Sequence, residues 1–328
     1  MTPVVATVIG DPCGIGPEVV LKALADGQGQ CDARPLLIGS LAALEKTRAA
    51  CGIDIALRAV TAIGAARFEP GVIDVLDAFA LDPSNIVFGQ ASAACGEAVL
   101  HWLDTAERLG RAGAVQATIM APIDSTALRL TGRLEDLDDL QPAGSWLLRV
   151  SGGLRVVPIA EHVLMRDVPA TVTQASVLTL LRVLAGTLER FGLRRPRIAV
   201  AGLNPHAMGP EEREQIGPAI AQARADGIDA RGPVSPDAVF RQCIEGRHDA
   251  VVSMYHDQGQ IAVKTAVFEG ACSIYIGLPY VHLSIPHGSA YDIAGKGIAQ
   301  HQSMLAALRT AASLAAGHGF PGAAAEKH

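Results

Sequence analysis

Short runs of β-branched and other apolar residues alternate with segments of helical periodicity along most of this chain. The first run, at residues 4–9, leads into a glycine-rich loop and then a helix pattern at residues 18–25, with Pro17 near its start. Further strands are predicted at residues 35–38, 117–120, 154–159, 197–201, 250–254 and 272–276, and the clearest helices at 97–109, 174–191 and 211–225. Strands that alternate with helices favour an α/β fold built on parallel sheets.

The length and composition of the chain agree with that fold. A chain of 328 residues exceeds what one hydrophobic core usually serves, so we expect two lobes. Apolar residues make up 49% of the sequence, charged residues 18% and aromatic residues 4%, which suits helix-covered sheets filled with aliphatic side chains. No long linker separates the lobes, so the chain is expected to share strands between them or to cross more than once.

Charge and cysteine usage exclude several classes of partner. The formal net charge is -6 and no long Lys/Arg run occurs, which argues against nucleic acid binding. The first ten residues lack a basic segment, and no uncharged stretch approaches the ~20 residues of a membrane span. We therefore expect a cytoplasmic protein with no membrane association. The six cysteines form no C-x-x-C pair and are predicted to be reduced.

Three histidines follow predicted strands: His162 after residues 154–159, His206 after 197–201 and His256 after 250–254. Ligands of open α/β sheets bind beyond the carboxyl ends of the strands, where these three side chains could converge. Neutral imidazoles are good ligands for divalent ions, so the pattern indicates a catalytic metal site. The alternative is that each histidine only bonds a backbone carbonyl. Asp167 and Asp257 are candidates for orienting or proton-handling groups, or for helix caps.

Glycine-rich segments lie near both ends of the chain. Residues 10–18 read GDPCGIGPE, which is not the dinucleotide fingerprint G-x-G-x-x-G and by itself predicts only a tight turn from strand to helix. Residues 287–299 read HGSAYDIAGKGIA, and their small side chains allow the backbone to approach a flat ligand closely. The alternative for this second segment is a simple connecting loop.

Together, the two segments resemble the isocitrate and isopropylmalate dehydrogenase superfamily, with its G-D-G-I-G-P-E and H-G-S-A-P-D-I-A-G motifs. Four further segments are similar to the 4-hydroxythreonine-4-phosphate dehydrogenase family: NPHA at residues 204–207, MYHDQG at 254–259, RDVP at 166–169 and GLP at 277–279. The resemblance covers nearly the whole chain.

The resemblance implies a homodimer of two-lobed α/β/α subunits with the active site in the interlobe cleft. Residues 1–125 and 285–328 would form the nucleotide-side domain, and residues 126–284 the metal and dimerisation domain. His162, His206 and His256 match the metal ligands of the family, which are shared across subunits. The ion would be Zn, Mg, Co, Mn or Ni.

The resemblance also implies roles around that metal site. Lys264 matches a substrate-contacting lysine, and Asp257 is a possible proton acceptor. The NAD cofactor would be held by the second glycine-rich segment, through His287, Gly288, Ser289, Ala290, Asp292 and Gly295.

The chain departs from the family where the phosphorylated substrate is bound. The family's G-H-T-E segment reads GRLE at residues 132–135, and its substrate-contacting Asn and Arg fall at Ser273 and His282. Asp124 stands in a stretch where the family carries a lysine. These changes weaken a phosphate site unless Arg133 and His282 compensate. Arg133, Ser273 and His282 are accordingly the predicted substrate contacts.

The sequence therefore predicts an NAD- and divalent-metal-dependent oxidoreductase acting on CH-OH. The first candidate substrate is 4-phosphooxy-L-threonine or a closely related phosphorylated hydroxy acid, oxidised with decarboxylation as in pyridoxine biosynthesis. The alternative is a catabolic paralogue that oxidises a terephthalate cis-dihydrodiol or a phosphorylated threonate or erythronate. A second alternative is a non-catalytic binding protein that kept the fold.

Overall fold

The computed structural model describes residues 2–27, 32–134, 137–266, 272–285 and 287–321. Its strands are β1 (Val4–Val8), β2 (Arg34–Ile38), β3 (Ala56–Val60), β4 (Val72–Leu76), β5 (Ala117–Met120), β6 (Trp146–Ser151), β7 (Leu154–Ala160), β8 (Ile198–Ala201), β9 (Ala230–Val234), β10 (Ala250–Tyr255), β11 (Cys272–Ile276) and β12 (Val281–Ser284). Its α-helices are α1 (Gly16–Gly27), α2 (Leu41–Cys51), α3 (Ala93–Arg111), α4 (Ser125–Arg129), α5 (Val168–Thr171), α6 (Gln174–Arg190), α7 (Gly217–Ala225), α8 (Pro236–Ile244), α9 (His256–Ala266) and α10 (Gln302–Ala315). The predicted α/β class is confirmed.

The chain divides into two units, each assembled from two separate stretches. Unit 1 comprises the residues up to 143 together with 278–316, and unit 2 comprises 144–277 together with the described residues after 316. The sequence places the boundaries elsewhere, at 125/126 and 284/285. The difference has a local cause, because β12 pairs with β5 and α4 packs against α3. Both segments therefore belong to unit 1.

The sheet of unit 1 has the order β3-β4-β2-β1-β5-β12, and its strand pairs are parallel. Every residue of β1 is buried, as expected for a central strand covered on both faces. The edge strand β3 is half exposed and reads ALRAV, in which only Val60 is β-branched, so its sequence does not favour a strand.

The sheet of unit 2 has the order β11-β6-β7-β10-β8-β9. Strands β7, β10, β8 and β9 pair in parallel, but β6 pairs antiparallel with both β7 and β11. Strand β6 is not among the predicted strands, although Gly152 and Gly153 between β6 and β7 are a strong two-residue hairpin signal. This hairpin is where the structure departs from the predicted alternation of strands and helices.

Within the residues that the structure describes, no helix taken singly is long and apolar enough to cross a bilayer. Two helical segments separated by a 78° bend, Met165–Thr171 and Gln174–Arg190, reach the required length and composition only as a pair.

Candidate functional sites

Two of the three predicted metal ligands lie side by side in unit 2. Strands β7 and β10 are parallel neighbours, and their register pairs Ala160 with Tyr255 at their carboxyl ends. The residues that follow, His162 and His256, are therefore brought to the same edge of the sheet. Their ring centroids are 5.1 Å apart.

A carboxylate joins these imidazoles. One ligand atom from each of Glu161, His162 and His256 lies within 4.8 Å of the other two. Ligand atoms around a tetrahedral zinc ion, with bonds of ~2.0–2.1 Å, stand ~3.3 Å apart, so small side-chain movements would close the set around an ion. Two imidazoles and one carboxylate are also a donor set that catalytic zinc sites use. The residues present fit a divalent metal ion.

The ring of His256 is oriented by its neighbour Asp257. The Nδ1 atom of His256 lies 2.7 Å from Oδ1 of the exposed Asp257 carboxylate. In the tautomer that carries its proton on Nδ1, the ring donates to this carboxylate, and Nε2 is the nitrogen available to a metal.

His206 lies outside this group of donor atoms. It is exposed on a 3-10 turn, Pro205–Ala207, that follows β8, and both His206 and Ala207 have left-handed φ angles, of 58° and 56°. Non-glycine residues adopt this conformation only where the surroundings fix it. Here the fixing group is Glu212, which is 3% exposed and accepts hydrogen bonds from the backbone of Leu203 and Asn204 at 2.7 and 2.8 Å.

Three supporting residues of this region escaped the sequence analysis as functional candidates. Burial raises the pKa of Glu212, but hydrogen bonds from Asn204 and Leu203 outweigh it and hold the pKa below its usual range. Gln258 bridges two strand ends, accepting from the Met254 N–H at 2.7 Å and donating to the Gly202 carbonyl at 2.9 Å.

The third supporting residue, Arg149 on β6, is 5% exposed and bonds both oxygens of Glu161, at 2.9 and 2.8 Å. The only sequence signal for Arg149 was that a charged residue stands inside a mostly apolar strand.

The remaining predicted residues of unit 2 are not part of the donor group. Lys264 is exposed in the last turn of α9, the helix that begins at His256. Ser273 is half-buried on β11, directly opposite Arg149 in the antiparallel pair of β11 and β6.

In unit 1, the structure brings the two glycine-rich segments together. The Ile15 N–H donates to the Ser289 carbonyl at 2.9 Å, and Lys22 donates to the carbonyls of Gly297 and Ala299 at 2.8 and 3.0 Å. A Cβ on Gly14 would lie 2.8 Å from the Cβ of Ser289. The segments at the two ends of the sequence thus form one interlocked loop pair.

The predicted NAD-binding residues divide into two groups within this loop pair. His287, Gly288 and Asp292 are exposed and available to a ligand. Ser289 is buried and donates to Asp124 at 2.8 Å. Gly295 has a φ of 73° and lies against the ring of Phe88, which leaves no room for a Cβ. Ala290 is half-buried with a left-handed φ of 41°.

A buried acid lies beneath the loop pair. Burial raises the pKa of Asp11, with a further contribution from nearby Asp124, against hydrogen bonds from the Tyr291 hydroxyl and the Cys13 N–H that lower it. Asp124 also accepts from the Thr126 and Ala127 N–H groups at the start of α4. Asp124 therefore serves as a helix cap in the stretch where the family's G-P-x-[NH]-K segment is altered.

The predicted compensation for the lost phosphate contacts is not supported for His282. This residue is buried on β12, and its Nδ1 lies 2.6 Å from the Thr118 hydroxyl. Burial lowers the pKa of His282 to about 4, so the ring is neutral at pH 7 and offers no positive charge. Arg133 is exposed and pairs with Glu97 at 3.0 Å.

These features define a two-unit α/β protein with candidate metal donors in one unit and an interlocked pair of glycine-rich loops in the other. Residues 31–311 match the family model described as "Pyridoxal phosphate biosynthetic protein PdxA". The chain belongs to the PdxA family.

Individual relatives agree with this assignment. A Novosphingobium aromaticivorans protein provisionally named 4-hydroxythreonine-4-phosphate dehydrogenase is 46% identical over 97% of this chain and 96% of its own length. The D-threonate 4-phosphate dehydrogenase of Salmonella typhimurium is 38% identical over 96% of this chain and 99% of its own.

Solved structures are similar over the same extent. The 4-hydroxythreonine-4-phosphate dehydrogenase of Klebsiella pneumoniae matches with a TM-score of 0.85 at 36% identity, covering 96% of this chain and 98% of that one. The terephthalate 1,2-cis-dihydrodiol dehydrogenase of Burkholderia xenovorans LB400 matches with 0.73 at 30% identity, covering 95% and 98%. The relatives are dehydrogenases, which supports an oxidoreductase activity for this chain.

Proposed function

We propose that this chain is an NAD- and divalent-metal-dependent dehydrogenase that oxidises 4-phosphooxy-L-threonine, or a closely related phosphorylated hydroxy acid, with decarboxylation, as in pyridoxine biosynthesis. The observation that carries the proposal is the group of donor atoms from Glu161, His162 and His256 after neighbouring parallel strands. Membership of the PdxA family and the names of the relatives support the substrate class.

The proposed chemistry assigns a separate task to each group. A divalent ion bound by the histidines would lower the pKa of the substrate hydroxyl and stabilise the negative charge that develops on its oxygen. NAD bound at the loop that contains His287, Gly288 and Asp292 would accept the hydride.

The protein's own residues would bind and orient the substrate. Asp257 would orient the His256 ring through its contact with Nδ1, which would leave Nε2 for the metal, and Asp257 is the proposed acceptor of the hydroxyl proton. Lys264, exposed on α9, would pair with the substrate's acid group.

A catabolic substrate is the second candidate, and the state of His282 favours it. A neutral, buried histidine cannot replace an arginine at a phosphate site, and Arg133 is paired with Glu97. A terephthalate cis-dihydrodiol carries no phosphate and does not need these contacts, and phosphorylated threonate or erythronate is the other catabolic candidate. Two of the relatives carry names of this kind.

We also propose that the chain acts as a homodimer with a shared active site. Large apolar side chains are exposed close to the histidines in sequence, namely Leu164, Met165, Met208 and Ile261, with exposed fractions of 59%, 61%, 78% and 64%. Exposed apolar residues that form one patch mark protein interfaces, and a dimer would cover these side chains. Sedimentation velocity would show a dimer at micromolar concentration if the proposal holds, and a monomer if it does not.

The experiment that tests the function is NADH formation by the metal-loaded protein. 4-Phosphooxy-L-threonine, phosphothreonate, phosphoerythronate and terephthalate cis-dihydrodiol are supplied side by side, with the His256→Ala variant as the metal-site control. Turnover of the first substrate, lost in the variant, supports the biosynthetic role. Turnover of another substrate alone assigns a catabolic role, and no turnover of any substrate favours a non-catalytic binding protein.

A further inference from the structure

The charged residues beside the two histidines are Glu161 and Arg149. Glu161 follows β7 directly, and a carboxylate oxygen of Glu161 lies within 4.8 Å of ring nitrogens of both His162 and His256. The implied three-histidine site does not include a carboxylate. A single subunit nevertheless presents two imidazoles and one carboxylate in one group.

Arg149 holds the carboxylate of Glu161 in place. Arg149 donates from Nη1 to Oε1 at 2.9 Å and from Nη2 to Oε2 at 2.8 Å, which is the bidentate geometry of a guanidinium and a carboxylate. The Arg149 side chain is 7% exposed and that of Glu161 is 24% exposed. The pair is thus open to solvent only on the side of the carboxylate.

This arrangement leaves the carboxylate able to bind a cation. Each ionised oxygen accepts about two hydrogen bonds or ligand contacts, and each uses one on Arg149. Carboxylates that ligate metals are commonly hydrogen-bonded by further residues, which fix their orientation. Arg149 lies on β6 and Glu161 directly follows β7, so the antiparallel β6–β7 hairpin keeps the guanidinium next to the carboxylate.

We propose that Glu161 is a direct metal ligand in this protein and that Arg149 is the positioning residue that orients it. The inference rests on the metal dependence proposed above. It adds an oxygen donor from within the chain to the histidine ligands, whether or not His206 also binds the ion.

The test measures metal binding in the absence of substrate and NAD. Zn²⁺ affinity is determined by competition with a chromophoric chelator, and the visible absorption spectrum is recorded after loading with Co²⁺. Glu161→Gln is expected to weaken Zn²⁺ binding at least about 100-fold and to change the Co²⁺ spectrum, because a ligand is lost. Arg149→Lys keeps the charge but not the fork, and we expect binding about tenfold weaker with the shape of the Co²⁺ spectrum retained.

The matched control is Glu245→Gln, which makes the same change in an exposed Arg–Glu pair, with Arg241 at 2.8 Å. It should bind both metals as the unaltered protein does. Unaltered metal affinity and Co²⁺ spectrum in Glu161→Gln would overturn the inference, as would absence of metal binding in the unaltered protein.

The two proposals fail in different ways. Turnover by the unaltered protein with no effect of Glu161→Gln on metal binding removes only the ligand assignment. Glu161-dependent metal binding without turnover of any substrate removes only the proposed reaction.

Discussion

The histidine group of unit 2 and the loop pair of unit 1 were both predicted as functional, but they are built in opposite ways. In the loop pair, the two segments contact each other directly, as Ile15 does with Ser289, and Lys22 of the helix that follows the first segment bonds Gly297. In the histidine group, His162 and His256 follow strand ends, and they are supported both by Asp257 of the recognised MYHDQG segment and by Arg149, which lies outside the recognised motifs and binds Glu161.

The residues of the loop pair mainly shape the backbone, whereas the side chains of the histidine group are the ones proposed to perform chemistry. A long motif such as residues 10–18 is constrained mainly by close approach, since Gly14 has no room for a Cβ beside Ser289. Substitutions in the loop pair should therefore reduce stability before they reduce chemistry. Substitutions at the histidines should do the reverse.

The largest expected effect is on activity, at His256. Replacing it with alanine removes a proposed metal ligand and with it several kcal/mol of transition-state stabilisation, so kcat/KM should fall about 1000-fold or more. The free energy of unfolding should change little, because the residue is only half-buried. Steady-state NADH formation and urea unfolding measure the two quantities. The control is His101→Ala, exposed on α3, and a similar loss of activity in that variant would contradict the prediction.

Gly14→Ala should affect stability first. The added methyl group would meet the Cβ and carbonyl oxygen of Ser289 at 2.8 Å, and such overpacking reduces the free energy of unfolding by up to ~3 kcal/mol. Activity should be limited by a raised KM for NAD while metal affinity is unchanged. Gly186→Ala is the matched control, since nothing lies within 4 Å of a Cβ at that position. Equal stability of the two variants would show that the loop pair is not tightly interlocked.

His282 should make the stability of the protein depend on pH. Its folded-state pKa of about 4 lies below the ordinary value of 6.5, so between these values the unfolded chain binds a proton that the folded chain does not. The contribution to stability is complete above pH 6.5 and is lost as the pH falls towards 4, amounting to roughly 2 kcal/mol between pH 7 and pH 5.

The test compares urea unfolding at these two pH values. His282→Gln keeps a hydrogen-bonding group for Thr118 but does not titrate, so its pH-dependent loss should be smaller by that amount. His101→Gln should behave as the unaltered protein does. An identical pH dependence in all three proteins would mean that His282 is not held neutral by burial.

The smallest expected effect on stability is at Arg133. Its pair with Glu97 is exposed, so Arg133→Ala should change the free energy of unfolding by less than ~0.5 kcal/mol. Because Arg133 is a predicted substrate contact, Arg133→Ala should instead raise the KM for phosphorylated substrates about tenfold. This change corresponds to the loss of one charge-assisted hydrogen bond. Substrate titrations with a phosphorylated acid and with the dihydrodiol measure this. An unchanged KM for both substrates would mean that Arg133 does not contact the substrate and only pairs with Glu97.

The sequence predicts the placement of His162 and His256 but not that of His206, for a simple geometric reason. The two adjacent histidines stand one or two residues beyond a strand, after Ala160 and Tyr255. His206 stands five residues beyond Ala201, so a turn with left-handed backbone intervenes and the strand end no longer fixes its position.

Residues that act through the pairing of strands were not found from the sequence. The partnership of Arg149 and Glu161 depends on the β6–β7 hairpin, and β6 was not predicted. The burial of His282 depends on β12 pairing with β5, which are separated by most of unit 2 in sequence. Local periodicity contains no information on the pairing of β5 with β12, whereas the β6–β7 hairpin had a local signal in Gly152 and Gly153 that was missed.

Metal binding by the histidine group is tested most directly by the metal content of the protein purified without chelators. It is compared with that of the His162→Ala/His256→Ala double variant. We expect stoichiometric divalent metal in the unaltered protein and loss of metal from a folded double variant. The proposed metal site is contradicted if a folded double variant retains its metal. The proposed metal dependence is contradicted if the unaltered protein is metal-free and still oxidises its substrate.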